Sequence, residues 1–221
     1  MAWGMRTYTI QLFGSSIMEG RIGVKKAEYR WYEIMRRQLS NLFPATCFAI
    51  YNGAVGGESL RELMAHFDKD LEGHTPDLCL AMFGWNNFDM THKERIVPID
   101  EQNELMAAFA KRLPEKTKIV GVINNPLLDQ YHACGKNPAY DEIRAKYGSV
   151  NKFHDIEREN ARQFFRSKSA PFLDLSVLMA DDPEKYVLKS DGVHLSPEGH
   201  RVFGTEMCLL LKDILSAEKC V

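Results

Sequence analysis

The chain has 221 residues, 45% of them hydrophobic, with 28 basic and 30 acidic side chains and a formal net charge of −2. That is the length of one domain, residues 1–221, with material for a full core, and the balanced charge excludes the cationic footprint of a nucleic-acid binder. No apolar run approaches the ~20 residues of a membrane span, and the first residues carry no apolar leader core.

In chain order, Thr7–Phe13 is a short β-rich run that stops at Gly14. Trp31, Met35, Leu39 and Phe43 recur every four residues and predict a helix stripe. Cys47–Tyr51 reads as a second strand, and Leu60, Leu63, Met64, Phe67 and Leu71 as an amphipathic helix. Leu78–Phe83, almost wholly apolar, reads as a strand covered on both faces. A helix is expected from about Asp100 to Leu113 and a fourth strand over Ile119–Ile123, stopped by Asn124-Asn125-Pro126. Pro126–Gly148 is irregular and long for a connection, which makes it a candidate substrate wall, lid or oligomer contact. One further helix from about Asn151 to Arg166 comes next, then a fifth strand over Phe172–Leu175. The last helix has Ser196 as N-cap and Pro197 in its first turn, with Phe203, Met207, Leu210, Leu211 and Ile214 on its buried face.

Strands alternating with helices argue for a three-layer α/β/α sandwich around a five-stranded parallel sheet. With right-handed crossovers the expected order is flavodoxin-like, 2-1-3-4-5. Ligands then bind beyond the C-terminal ends of strands 1 and 3, where the order reverses.

The cysteines are Cys47, Cys79, Cys134, Cys208 and Cys220, an odd number with no CxxC pair. Cys47 and Cys79 sit in strand-like runs and read as small hydrophobes. A reduced, cytoplasmic protein fits this usage better than a disulfide scaffold. His66, His74, His92, His132, His154 and His200 lack metal-ligand spacing and read as surface or core histidines; no metal and no cofactor is expected. Neither GxGxxG nor GxxxxGK[ST] occurs, which weighs against a nucleotide-binding flavodoxin-like protein.

Two short stretches carry chemistry. Ser16 stands just past the first strand, and Asp191-Gly192-Val193-His194 places an acid three residues before an imidazole near the other end. A serine hydroxyl becomes a nucleophile when an imidazole takes its proton and a carboxylate holds that imidazole in the right tautomer. Strand 5 lies three spacings from strand 1, about 14 Å at ~4.8 Å each, and the chain after it is long enough to return His194 to Ser16. Asn52–Gly57 and Asn86 come after strands 2 and 3 and converge on the same crevice.

These stretches resemble, in order and over most of the chain, the GDSL or SGNH hydrolase superfamily of lipases and esterases. Gly14-Ser15-Ser16-Ile17 resembles its first block, Asn52-Gly53-Ala54-Val55-Gly56-Gly57 its second, Gly84-Trp85-Asn86-Asn87 its third and Ser190–Gly199 its fifth. The resemblance implies catalytic Ser16, Asp191 and His194, an oxyanion hole of the Ser16 and Gly57 N–H groups with the Asn86 amide, and hydrolysis of small carboxylic esters through an acyl-enzyme. Ser15, Trp85 and Asn87 are expected to touch substrate, and Met18 and Glu19 to lie beside the pocket. Two family aspartates are replaced, by Ser15 and Asn87. The loss of two possible negative charges predicts an entrance more tolerant of anionic esters. The alternative is a catalytically impaired SGNH-like binding protein. The expected partner is a small-molecule ester, with no nucleic acid and no membrane; neither oligomeric state nor acyl length is legible.

Overall fold

The computed structural model describes residues 6–218; the first five residues and Cys220 lie outside the described residues. β1 (Arg6–Phe13) opens the fold and passes into one turn of helix, α1 (Ser16–Glu19). α2 (Trp31–Leu42), β2 (Thr46–Asn52), α3 (Leu60–Asp70), β3 (Leu78–Met82), α4 (Ile99–Arg112) and β4 (Lys118–Ile123) alternate as the periodicity predicts. The five strands are all parallel and ordered β2-β1-β3-β4-β5, with β5 at Phe172–Asp174.

The strand alternation sets two cores. Leu78, Leu80 and Met82 of β3 point to the side covered by α2 and the long last helix, where Trp31 stacks on Phe203 at 4.1 Å. Cys79, Ala81 and Phe83 point to the other side, covered by α3, α4 and a seventh helix. There Phe13 meets Phe67 and Phe109 at centroid distances of 5.0 and 4.8 Å. Burial on both faces explains why β3 has no polar alternation.

Between β4 and β5 the chain departs from expectation. The irregular stretch contains α5 (Asp141–Tyr147), capped by the left-handed Gly148. The expected single helix is two, α6 (Val150–Phe153) and α7 (Asp155–Ser167), separated at His154. Ser149 caps α6, its hydroxyl accepting the Lys152 N–H at 3.0 Å, and the Asp129 carboxylate accepts the Val150 and Asn151 N–H groups at 2.7 and 3.2 Å. Two short helices, α8 (Leu175–Leu178) and α9 (Pro183–Tyr186), precede α10 (Pro197–Glu218). Ser196 caps α10 as expected, accepting the Gly199 N–H at 3.1 Å. Among the described residues no helix is long and apolar enough to cross a membrane. Cys47 is exposed rather than packed, because β2 is the edge strand.

Candidate active site

Ser16 is the first residue of α1, directly beyond the C-terminal end of β1. The loop after β2 is stitched to that end: the Gly53 N–H donates to the Leu12 carbonyl and the Val55 N–H to the Gly14 carbonyl. This brings Gly56 beside the serine, so that a Cβ on it would stand 3.5 Å from the Ser16 Cβ. Asn86 arrives from the end of β3, and its amide nitrogen donates to the Glu58 carbonyl at 3.0 Å.

The far end of the chain closes the arrangement. His194 Nε2 lies 2.9 Å from Ser16 Oγ, and Nδ1 lies 3.1 Å from Asp191 Oδ2. The other carboxylate oxygen accepts the N–H groups of Val193 and His194, both at 2.9 Å. Burial works against the Asp191 charge, but these two N–H groups and the His194 ring outweigh it and hold the carboxyl below its ordinary range. An ionised Asp191 accepts a hydrogen bond from the Nδ1–H of the ring, leaving Nε2 to accept the Ser16 hydroxyl. The arrangement can therefore move a proton off Ser16.

Gly192 makes the turn between acid and imidazole possible. Its φ is +74°, and a Cβ there would stand 2.6 Å from both the His132 nitrogen and the Leu128 carbonyl oxygen. These are backbone atoms that cannot swing aside. Gly192→Ala is therefore expected to destabilise the protein by about 1–3 kcal/mol and to lower activity by displacing His194. Thermal melts and ester turnover on the same preparation check both.

A cavity of about 560 Å³ opens in front of Ser16, His194, Gly57 and Asn86. Trp85 lines it, 8% exposed, with φ +67°, a strained position for a residue with a side chain. The Asn86 N–H donates to the Gly84 carbonyl across Trp85 at 3.1 Å, and the side chain packs with the His154 ring at 4.7 Å and the Arg158 guanidinium at 5.5 Å. The opposite wall comes from the irregular stretch and the start of α6, through Leu127, Cys134, Tyr140 and Val150. His132 and His154 border the cavity as well, His154 as a buried histidine. Burial pushes His132 below the usual imidazole range and the Cys134 thiol up to about 12, so that Cys134 is a neutral wall residue. Leu127, His132, Cys134 and Tyr140 lie in the stretch whose length marks it as a candidate wall, although no spacing singles out the individual residues. Among the described residues no group of His, Cys, Asp and Glu could hold a metal ion.

Ser15 and Asn87 do not line the cavity. Both are buried, at 3% and 0% exposure. Met18 is buried in the core beneath it, and Glu19 pairs with Arg21. The expectation of a less negative entrance fails on this burial. Asn87 instead ties two helices together. Its oxygen accepts the Leu60 N–H at 2.8 Å and its nitrogen donates to Glu157 Oε1 at 3.0 Å. Glu157, 2% exposed, meets His154 Nδ1 through its second oxygen at 2.6 Å. An aspartate at 87 could not donate to Glu157, and two buried carboxylates would repel. Asn87→Asp is thus expected to cost about 2–3 kcal/mol of stability at neutral pH, for a lost buried hydrogen bond and an unfavourable charge pair. The pair would have a raised pKa, so the penalty should shrink as pH falls and one carboxyl takes a proton. Urea melts at two pH values measure it.

The profile of the GDSL-like lipase/acylhydrolase family matches residues 12–202. Among solved structures, the lipase/acylhydrolase from Enterococcus faecalis superposes with a TM-score of 0.70 at 18% identity, covering 93% of this chain and 96% of that one. The acetyl xylan esterase AlAXEase gives 0.65 at 18% identity over 90% and 97%. LAE5, an α/β hydrolase enzyme from the metagenome of Lake Arreo, gives 0.68 at 16% identity over 92% and 94%. At these identities the superpositions establish the shared fold. No curated protein matches this chain at the sequence level. With the family profile spanning β1 to α10, the chain belongs to the GDSL-like lipase/acylhydrolase family of ester-hydrolysing proteins.

Proposed function

We propose that this protein is a serine hydrolase of carboxylic esters, working through an acyl-enzyme on Ser16. The observation that carries the reading is the unbroken line from Ser16 Oγ to His194 Nε2 at 2.9 Å and from His194 Nδ1 to Asp191 Oδ2 at 3.1 Å. Ser16 Oγ attacks the ester carbonyl carbon while His194 Nε2 takes its proton. His194 returns that proton to the leaving alkoxide as the carbon–oxygen bond breaks. Water, deprotonated by the same nitrogen, then releases the acid and restores Ser16. The N–H groups of Ser16 and Gly57 and the Asn86 amide are the oxyanion donors in this reading. Trp85 forms a wall of the substrate cavity. A volume of about 560 Å³ far exceeds an acetyl group, so the apolar walls take the remainder of the substrate. The cytoplasmic location we infer rests on cysteine usage.

A fluorophosphonate probe together with a panel of p-nitrophenyl and sugar acetate esters tests this. Covalent labelling of the wild type that vanishes in Ser16→Ala, with turnover of at least one ester, is the expected result. Folded wild-type protein that neither labels nor turns over any ester would instead favour a binding role for the same cavity.

A further inference from the structure

The turn that carries Gly57 is gripped from outside the cavity. The Glu58 N–H reaches the Val55 carbonyl at 3.4 Å, and Gly57 has φ +82° in the third position, as a type II turn requires. In such a turn the central amide, here the one bearing the Gly57 N–H, makes no hydrogen bond within the turn. Its direction depends on what holds the peptides after it.

Two successive carbonyls are held. Arg95 Nη2 donates to the Gly57 carbonyl at 2.6 Å, and the Asn86 amide donates to the Glu58 carbonyl at 3.0 Å. Arg95 is itself fixed by Glu62, through Nε at 3.1 Å and Nη2 at 2.7 Å. Glu62 is anchored in the first turn of α3, where it also accepts the N–H and hydroxyl of Ser59, both at 2.8 Å. The Arg95 hydrogen bond, helped by Ser59 and outweighing the opposing effect of burial, holds the Glu62 carboxyl down at about 2, so the pair is charged at neutral pH. A rigid helix end thus reaches Gly57 through two side chains that belong to none of the sequence blocks.

We propose that Arg95 is a positioning residue for ester cleavage: by holding the Gly57 carbonyl it keeps the Gly57 N–H aimed at the oxygen that becomes negative in the transition state. This rests on the serine-hydrolase reading above. Arg95 and Glu62 side chains are 30% and 41% exposed, and ion pairs so exposed add little to stability. Structural and positioning roles therefore separate experimentally.

The test uses the full chain with Arg95→Ala, Arg95→Lys and Glu62→Gln, assayed on a p-nitrophenyl ester alongside thermal melts. Arg95→Ala is expected to lower kcat roughly 10- to 100-fold, part of what removing an oxyanion donor costs. KM and melting temperature should be nearly unchanged. Arg95→Lys should recover part of the loss, and millimolar guanidinium should raise the rate of Arg95→Ala but not that of wild type. An active wild type with Arg95→Ala equally fast overturns the inference alone. So does a variant whose rate falls only in step with its melting temperature and is not rescued. A wild type inert toward esters and fluorophosphonate overturns the hydrolase reading, and this inference with it.

Discussion

Ser16→Ala is expected to lower kcat by roughly 10⁶-fold, the scale on which removing a serine nucleophile acts when its histidine is left in place. The change removes one hydroxyl and one hydrogen bond, to His194 Nε2. That bond is worth about 1 kcal/mol, so the variant should fold and melt close to wild type. The bond between His194 Nδ1 and Asp191 survives, and the cavity keeps its shape. Activity then falls to what the oxyanion donors and binding supply alone. Stopped assays with long incubation, and a fluorophosphonate label read by mass, measure the two sides of this expectation. Ser15→Ala is the control: Ser15 is 3% exposed and does not line the cavity, so that variant should keep its label. Labelling of Ser16→Ala at the wild-type rate would place the nucleophile elsewhere.

Asp191→Asn is expected to cost about 10⁴-fold in kcat with little change in KM. The carboxylate of Asp191 accepts from His194 Nδ1, which leaves Nε2 free to take the serine proton. An asparagine can donate to Nδ1 instead. That favours the tautomer with its proton on Nε2, which cannot act as a base. The same substitution has a stability signature. Asp191 is buried enough to oppose its charge, yet the Val193 and His194 N–H groups and the His194 ring lower its pKa overall. A lowered folded-state pKa stabilises the protein above the ordinary carboxylate range, and this contribution is lost as pH falls through the lowered value. The melting temperatures of wild type and Asp191→Asn should therefore converge as the solution is acidified. A kcat within tenfold of wild type at neutral pH would remove Asp191 from the mechanism.

Strand order is legible in the sequence because it depends on local features, and the serine–histidine meeting, across 178 positions, because both residues sit in recognisable family motifs at the sheet's C-terminal end. Apolar runs punctuated by glycine and proline mark the strands, and parallel topology puts their C-terminal ends together. Ser16, Gly57, Asn86 and His194 each come after a strand or open a helix, and all four border one cavity. The features that escape depend on partners far along the chain. Asn87 reads as a substrate contact until Glu157, 70 residues on, is seen to take its amide. His132 and His154 carry no spacing that marks them, and their cavity positions come from how the chain packs between β4 and α7. Cys47 reads as a small hydrophobe because it sits in a strand-like run, although the expected order already places that strand at the sheet edge, where it is exposed. The start of α6 is only partly visible: Ser149 caps it locally, accepting the Lys152 N–H, but the Asp129 carboxylate that holds its first two N–H groups lies more than twenty positions earlier.

The contact between Gly192 and the stretch around Leu128 limits how this scaffold can be diversified. The Leu128 N–H donates to the Gly192 carbonyl at 2.8 Å, and the Gly192 Cα packs against the backbone at 128 and 132. The cavity lining around 127–134 and the turn that carries His194 are thus one seam. A library that grafts new sequence into the lining has to leave Leu128 and His132 in register. Shortening that insert by even one position before 132 would tilt the imidazole off its serine, and the swap would cost turnover on every substrate at once.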